Sequence, residues 1–148
     1  MLENVATDWS RVLDLYAGSG ALGIEALSRG AGWADFVEAF PPACQTIREN
    51  LIHTKLADRA RVYCAKVLQI LPILGEKYGI ILLDPPYGDP TVHAVLDKIG
   101  ASPLIGIETT LVVEHSRRVA LPNQCGPLNV VRRRRHGDTM VTIFRQEE

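Results

Sequence analysis

The segment RVLDLYAGSGALGIEALSRGA (residues 11–31) decides the fold, because its periodicity changes at a glycine-rich turn. The apolar run at 11–16 is typical of a buried strand, and the residues after the glycines have the spacing of a helix. Gly18, Gly20 and Gly23 have G-x-G-x-x-G spacing, which permits a tight turn and close approach of a ligand to the backbone. The segment predicts a strand–turn–helix unit that could bind NAD, FAD or S-adenosylmethionine.

Strands and helices continue to alternate up to residue 116. Apolar runs predict further strands at 33–39, 60–65, 78–84 and 109–116. The segments between them have helical spacing, so we expect an α/β fold with a doubly wound, mostly parallel sheet. The final segment, LNVVRRRRHGDTMVTIFRQ, holds two strand-like runs joined by His-Gly-Asp. It predicts a C-terminal antiparallel hairpin, which gives a seven-stranded sheet.

Length and composition are those of one globular domain. The chain has 148 residues, 47% of them hydrophobic and 22% charged, and no linker or repeat divides it, so we expect a single domain over 1–148. No apolar run reaches the roughly 18 residues that span a bilayer. The first ten residues, MLENVATDWS, lack the features of a secretory signal. These observations predict a cytoplasmic protein with no membrane partner.

The cysteines and histidines do not have the spacing of a metal site. The three cysteines, Cys44, Cys64 and Cys125, form no C-x-x-C pair, and the four histidines are scattered. We therefore expect reduced thiols and no metal.

Basic side chains are concentrated near the C-terminus. Residues 1–114 carry 9 basic and 14 acidic side chains, whereas residues 115–148 carry 7 basic and 3 acidic ones. Such asymmetry is typical of a face that binds a polyanion. Side chains on a strand alternate between its faces, so only part of the run 132–135 can line one groove. Arg132 and Arg134 are our candidates for contact with the phosphates of a polyanion, and a solvated edge strand is the alternative.

Two acidic residues end strands that the fold places near each other. Glu38 follows Gly23 by 15 residues and could accept hydrogen bonds from both hydroxyls of an adenosine ribose. Asp84 ends the fourth predicted strand. Ligands of doubly wound sheets bind at the carboxyl ends of strands where strand order reverses, so we expect Asp84 across the same crevice as the glycine turn.

The motif Asp84-Pro85-Pro86-Tyr87 has the groups needed to hold an aromatic amine. The Asp84 carboxylate and the Pro85 carbonyl can accept both N–H bonds of an amino group. Tyr87 offers a flat face for stacking on a base, a contact worth roughly 1–3 kcal/mol. The nitrogen lone pair would then point at an electrophilic methyl group, and catalysis would depend on alignment and electrostatics. The motif predicts N-methylation of a base.

The strings VLDLYAGSGALGIEALSRGA, FVEA and LLDPPY resemble the bacterial 16S rRNA guanine-N2 methyltransferases, which are class I S-adenosylmethionine-dependent methyltransferases. The resemblance covers nearly the whole chain, including LVVEHS and HGDTMVTIFRQ. It implies a Rossmann-like fold and methyl transfer to the N2 amine of a guanine in small-subunit rRNA or its assembling particle. Family members usually have an N-terminal extension, which we expect this chain to lack.

The resemblance also implies roles for individual residues. Those expected to bind the cofactor are Asp14, Tyr16, Ala17, Gly18, Ser19 and Gly20 at its methionine end, Glu38 at its ribose, and Ala39, Ala65, Lys66 and Val67 at its adenine. Those expected to hold a flipped-out guanine are Asp84, Pro85, Pro86 and Tyr87. Lys66 departs from the family pattern, because many members have an acidic or amide residue there that meets the adenine amine.

Three other interpretations are left open by the residues. The motif that begins at Asp84 also occurs in adenine-N6 methyltransferases acting on DNA or RNA. The chain could also be a cofactor-binding module with little activity on its own. A nicotinamide oxidoreductase would share the glycine turn, although Asp-Pro-Pro-Tyr has no role in hydride transfer.

Overall fold

The computed structural model describes residues 8–146, which form a mixed sheet with helices on both faces. The strands are Arg11–Leu15 (β1), Trp33–Glu38 (β2), Ala60–Cys64 (β3), Ile80–Leu83 (β4), Thr110–Ser116 (β5), Gln124–Cys125 (β6), Leu128–His136 (β7) and Thr139–Arg145 (β8). The helices are Ala21–Ser28 (α1), Pro41–His53 (α2), Val67–Ile70 (α3) and Val92–Gly100 (α4), with a 3-10 turn at Ala57–Arg59. The strands lie in the order β3-β2-β1-β4-β5-β8-β7-β6.

The predicted fold class is confirmed. Strands β1 to β5 pair in parallel, their order reverses between β1 and β4, and β8 runs antiparallel to both β5 and β7. The sheet has eight strands rather than the expected seven, because β6 pairs with the start of β7. A two-residue strand is too short to produce a periodic pattern, so no feature of the sequence indicated it.

Some expectations concern the ends of the chain. Residues 1–7, 147 and 148 lie outside the described residues. Most of the segment tested for a secretory signal and the expected start of the domain fall on residues 1–7. The expectation about an N-terminal extension also concerns this end of the chain. Within 8–146, no helix has the length and apolar character needed to cross a bilayer. In the same range, no three histidine, cysteine or acidic side chains form a group able to hold a metal ion.

Apolar residues cover both faces of the central strands. Every residue of β4 is at most 2% exposed, as expected for a parallel strand with helices on both sides. Val12 and Ile80 belong to the apolar layer beneath α1 and α2, whereas Leu13 and Ile81 belong to the layer beneath α3 and α4. This alternation directs the Asp14 side chain toward α1 and leaves the carboxyl ends of the strands free to form a site.

The glycine turn after β1 depends on close packing as well as backbone conformation. Gly18 has a φ of +60° and Gly20 a φ of +80°, the left-handed region that glycine adopts easily. Gly23 lies in α1 against β2, and a Cβ atom there would be 2.7 Å from Cζ of Phe36. The third glycine of the motif therefore lets the helix approach the sheet.

Candidate active site

A cavity of about 660 Å³ opens at the carboxyl ends of β1, β2 and β4. The residues that line it are Tyr16, Gly18, Glu38, Ala39, Phe40, Lys66, Val67, Leu68, Gln69, Asp84, Pro86, Asp89 and Thr91. The glycine turn and the Asp84 motif therefore border the same cavity, although they lie far apart in the chain.

Backbone donors hold Glu38 in one position. The amide of Gly18 donates to Oε1 and the amide of Phe40 donates to Oε2, each at 2.9 Å. Each carboxylate oxygen has two lone pairs, so both can accept a further hydrogen bond from a molecule in the cavity. The end of β2 thus presents a fixed pair of acceptors to the cavity.

Asp14 lies beneath the turn and does not line the cavity. Its side chain is buried at 2% exposure, and Oδ2 accepts a hydrogen bond from the amide of Gly23 at 3.1 Å. Burial raises the pKa of Asp14 to about 7, and the nearby charges of Asp84 and Glu38 act in the same direction. Asp14 therefore supports the turn from below and carries a carboxyl group that titrates near neutral pH.

Asp84 is exposed at the cavity mouth, and its amide is 3.5 Å from the carbonyl of Leu15 on β1. Partial burial raises the pKa of Asp84, and the charge of Glu114 raises it further. Pro85 and Tyr87 lie beside a second, much smaller cleft that also contains His115. Tyr87 is 84% exposed, so its ring is available for stacking.

A polar network connects the glycine turn with the loop after the motif. The hydroxyls of Tyr16 and Thr91 are 3.4 Å apart. Thr91 donates to Oδ1 of Asp89 from its amide at 2.8 Å and from its hydroxyl at 2.7 Å. Burial alone would raise the pKa of Asp89, but the hydrogen bonds from Thr91 and Tyr16 lower it. The network restrains two cavity walls, and no sequence motif had identified Asp89 or Thr91.

The sequence patterns also did not identify three further residues that line the cavity, Phe40, Leu68 and Gln69. Phe40 is 62% exposed and follows Ala39 directly, and Leu68 and Gln69 lie in α3 after Lys66. Oε1 of Gln69 accepts a bond from the amide of Lys66 at 3.4 Å. An aromatic residue directly before a helix that begins Pro-Pro was a signal for Phe40. Gln69 therefore places a side-chain amide beside Lys66 in the cavity lining.

The structure distributes the predicted residues between the cavity and its supports. The predicted residues that line the cavity are Tyr16, Gly18, Glu38, Ala39, Lys66, Val67, Asp84 and Pro86. The predicted residues outside its lining are Asp14, Ala17, Ser19, Gly20, Ala65, Pro85 and Tyr87. Several of these shape the turn: Ser19 O accepts a bond from Nδ2 of Asn50 at 3.1 Å, and the amide of Gly20 donates to Ala17 O at 2.8 Å.

Arg132 and Arg134 lie on β7, away from the cavity. They pair with Ile143 and Val141, so both point to the face of the sheet that carries α1. Both are exposed, and within residues 8–146 their guanidinium groups donate no hydrogen bond. Arg133 faces the other way and donates to Oδ1 of Asn123 at 3.0 Å. The predicted pair is therefore free to bind an anion.

The strand order, with its antiparallel hairpin, is that of the Rossmann-like methyltransferases, and this is the enzyme class of the protein. Comparison with known proteins gives the family. Residues 1–145 match the model of the family described as conserved hypothetical protein 95, and the chain belongs to that family.

Named relatives and solved structures agree with this class. The chain is 37% identical to "Putative rRNA methyltransferase YlbH" of Bacillus subtilis (strain 168), covering 94% of this chain and 77% of the relative. It is 28% identical to "Ribosomal RNA small subunit methyltransferase D" of Escherichia coli (strain K12), covering 93% and 69%. A Streptococcus pyogenes protein of solved structure, titled a conserved hypothetical protein, superposes with a TM-score of 0.89 at 32% identity, covering 96% of this chain and 89% of that one.

A relative with a different named substrate matches a smaller part of its own length. The "tRNA1(Val) (adenine(37)-N6)-methyltransferase" of Pectobacterium carotovorum is 31% identical over 72% of this chain and 45% of the relative. The names of these relatives share methylation of RNA, and among the three only the name of the tRNA enzyme states the base, an adenine.

Proposed function

We propose that this protein transfers a methyl group from S-adenosylmethionine to the exocyclic N2 amine of a guanine in small-subunit rRNA. The observation that carries the proposal is the shared cavity, with Gly18 and Glu38 on one wall and Asp84 on another. The names of the relatives described above support an RNA substrate, and those of the Bacillus subtilis and Escherichia coli proteins specify ribosomal RNA.

The cavity fits S-adenosylmethionine. Its volume is in the range of roughly 300–1,000 Å³ that small-molecule sites occupy. The free lone pairs of Glu38 suit the two ribose hydroxyls, and Phe40 and Leu68 offer apolar surface to the adenine ring. A Cβ atom at Gly18 would meet nothing within 4 Å, so the turn has open space in front of it. The side-chain oxygen of Gln69 could accept a hydrogen bond from the adenine amine. It would take the role of the acidic or amide residue that many family members have at position 66.

When bound, the cofactor supplies an electrophilic methyl group on a positively charged sulfur. The residues of the chain align the acceptor: the Asp84 carboxylate and the Pro85 carbonyl hold the two N2–H bonds, and Tyr87 stacks on the base. As the bond from N2 to the methyl carbon forms and the carbon–sulfur bond breaks, leaving a neutral thioether, the positive charge would move to the amine, where the Asp84 carboxylate would stabilise it without reorganising. One proton then leaves N2, with the raised pKa of Asp84 making its carboxylate a suitable acceptor.

The basic strand provides contact with the RNA backbone. Arg134 lies on β7, which is separated from β4 by β5 and β8. Three inter-strand spacings amount to roughly 14 Å, so Arg134 would meet phosphates a few nucleotides from the target. Such contacts give salt-dependent affinity without selecting a base.

The product identifies the reaction. The wild-type protein is incubated with methyl-labelled S-adenosylmethionine and, in separate reactions, with unmodified small-subunit particles, naked 16S rRNA and DNA. Nucleosides are then analysed by mass spectrometry. We expect N2-methylguanosine from an RNA substrate. N6-methyladenosine as the main product would establish the alternative activity, and cofactor binding without any product would indicate a binding module.

Cofactor binding is tested separately by thermal shift with S-adenosylhomocysteine. We expect stabilisation of the wild type and of Glu76→Ala, an exposed control, and little stabilisation of Glu38→Ala. Equal stabilisation of all three would remove Glu38 from the site.

Phosphate contact is tested by the salt dependence of RNA binding. The double variant Arg132→Ala/Arg134→Ala should reduce the slope of log affinity against log salt, because fewer counterions are released. Arg133→Ala is the control, since that side chain already has a protein partner and faces the other side. An unchanged slope in the double variant would indicate that these arginines do not contact phosphate and are only solvated residues of an edge strand.

A further inference from the structure

Glu114 lies directly beside Asp84 at the carboxyl ends of β4 and β5. Strands β4 and β5 are parallel, with Leu83 opposite Val113. Asp84 follows Leu83 and Glu114 follows Val113, so Asp84 and Glu114 occupy neighbouring positions. Asp84 and Glu114 line a cleft of about 40 Å³ together with Leu22. This volume suits a single water rather than a base. A base would therefore meet the two carboxylates from the open side, over the ends of β4 and β5.

The two carboxylates also lack donors. In the part of the chain that the structure describes, no hydrogen bond reaches the carboxylate of Asp84 or of half-buried Glu114. By contrast, Asp14, Glu38 and Asp89 each accept at least one backbone N–H. Two adjacent carboxylates without donors repel each other, and a ligand that brings N–H groups would relieve this repulsion.

Only one of the four RNA bases has an N–H next to its exocyclic amine. Guanine has N1–H beside the N2 amine, so its edge presents a row of donors. Adenine has the lone pair of N1 beside its N6 amine, and cytosine has the lone pair of N3 beside its N4 amine. A carboxylate accepts from an N–H and repels a ring lone pair. A second carboxylate next to Asp84 therefore favours guanine.

We propose that Glu114 accepts a hydrogen bond from N1–H of the target base while Asp84 holds its N2 amine, so that Glu114 selects guanine over adenine. This inference rests on the proposed function and adds a specificity-determining residue to it. Tyr87 follows Asp84 by three residues and borders, with His115, the cleft on the opposite face of the sheet.

The first test is Glu114→Gln, which keeps the size of the side chain and removes its charge. We expect kcat/KM for N2-methylguanosine formation on small-subunit particles to fall about 10- to 100-fold, as for the loss of a hydrogen bond to a charged group. Affinity for S-adenosylhomocysteine should change less than about twofold, because Glu114 does not line the large cavity. The control Glu76→Gln should match the wild type in both measurements.

The second test changes the base. A synthetic RNA spanning the guanine that the wild type methylates is prepared with 2-aminopurine at that position. This base keeps the N2 amine but has a lone pair at N1. We expect the wild type to prefer guanine strongly and Glu114→Gln to lose most of that preference, because the glutamine amide can donate to N1. A residue with only a structural role would not alter the ratio of the two rates.

The outcomes separate this inference from the proposed function. If Glu114→Gln binds S-adenosylhomocysteine normally and keeps the wild-type rate and preference for guanine, the inference is wrong while the proposed function stands. If the wild type itself forms no N2-methylguanosine, the proposed function fails first. Should Glu114→Gln bind no S-adenosylhomocysteine, Glu114→Asp provides the test, and it must keep the preference for guanine because it keeps the carboxylate.

Discussion

Asp14 and Asp35 lie on the neighbouring strands β1 and β2 and are both almost fully buried, at 2% and 3% exposure, but their surroundings are opposite. Asp35 accepts bonds from the hydroxyl of Tyr78, from Nε1 of Trp33 at 2.9 Å and from Nη2 of Arg11 at 3.4 Å. Among residues 8–146, Asp14 accepts one hydrogen bond, from the amide of Gly23, and its charged neighbours are the carboxylates of Asp84 and Glu38.

The difference separates a part of the sheet where a buried carboxylate has several donors from a part that, in the proposed function, receives a ligand. Around Asp35, two N–H donors and a hydroxyl compensate a buried charge. At the carboxyl ends of the strands, the carboxylates of Asp14, Glu38, Asp84 and Glu114 collect without a cation in contact within residues 8–146. An uncompensated group of this kind costs folding free energy, which is typical of a site that binds positive charge or N–H donors.

The largest effect should come from Asp84→Asn. Removing the carboxylate that stabilises the charged amine should lower kcat about 100- to 1,000-fold. S-adenosylhomocysteine affinity, measured by calorimetry, should stay within about threefold. Asp97→Asn, an exposed residue of α4, serves as the control. Retention of full activity by Asp84→Asn would refute the assigned role.

The second effect is a gain in stability from Asp14→Asn. The folded-state pKa of about 7 lies above the unfolded value of 3.8, so the contribution of Asp14 to stability is complete below pH 4 and lost as pH rises to 7. An asparagine does not titrate. The variant should therefore gain stability over the wild type with rising pH, by up to about 4 kcal/mol at pH 8. Urea unfolding at several pH values measures this, and a pH-independent difference would contradict it.

Asp35→Asn should have the opposite sign at neutral pH. It removes the charge that pairs with Arg11 and weakens the bonds from Tyr78 and Trp33, so we expect a loss of about 2 kcal/mol. Run beside Asp14→Asn in the same urea series, it tests the contrast directly. Two variants that shift stability in the same direction would show that the two aspartates do not differ in the way described.

A smaller effect is expected for Gly23→Ala, because the amide of Gly23 donates a hydrogen bond to Asp14. The new methyl group would overlap the Phe36 ring and would lie 3.1 Å from Oδ2 of Asp14. Overpacking of this kind costs about 1–3 kcal/mol. Gly75→Ala meets nothing within 4 Å and is the matched control. Equal thermal melting temperatures for the two variants would show that α1 can move away from the sheet without cost.

The smallest effect concerns pH and activity. In the proposed mechanism the Asp84 carboxylate is ionised, so kcat/KM should rise with pH through an acid limb above the ordinary range of an aspartate. Glu114→Gln removes a negative neighbour, which should move this limb to lower pH, while partial burial of Asp84 still keeps its pKa raised. If the acid limb of kcat/KM lies at the same pH in Glu114→Gln and in the wild type, the charge of Glu114 does not affect the pKa of Asp84.

The amino-acid sequence by itself determined the architecture and the position of the crevice. The change of periodicity at Gly18 to Gly23, the alternation of strands with helices and the hairpin signal at His136 to Asp138 are local patterns. Because strand order and right-handed connections follow general rules, these patterns were enough to predict that Glu38 and Asp84 would border the same crevice.

Only the tertiary structure decided which other side chains belong to that crevice. Phe40, Gln69 and Thr91 line the cavity, and Glu114 lies beside Asp84, because separate strands and loops pack together there. It also decided that Asp14 is buried under the turn rather than exposed in the cavity. Contacts between distant segments and the burial of a charge depend on pairing register and packing, and a local sequence pattern contains neither.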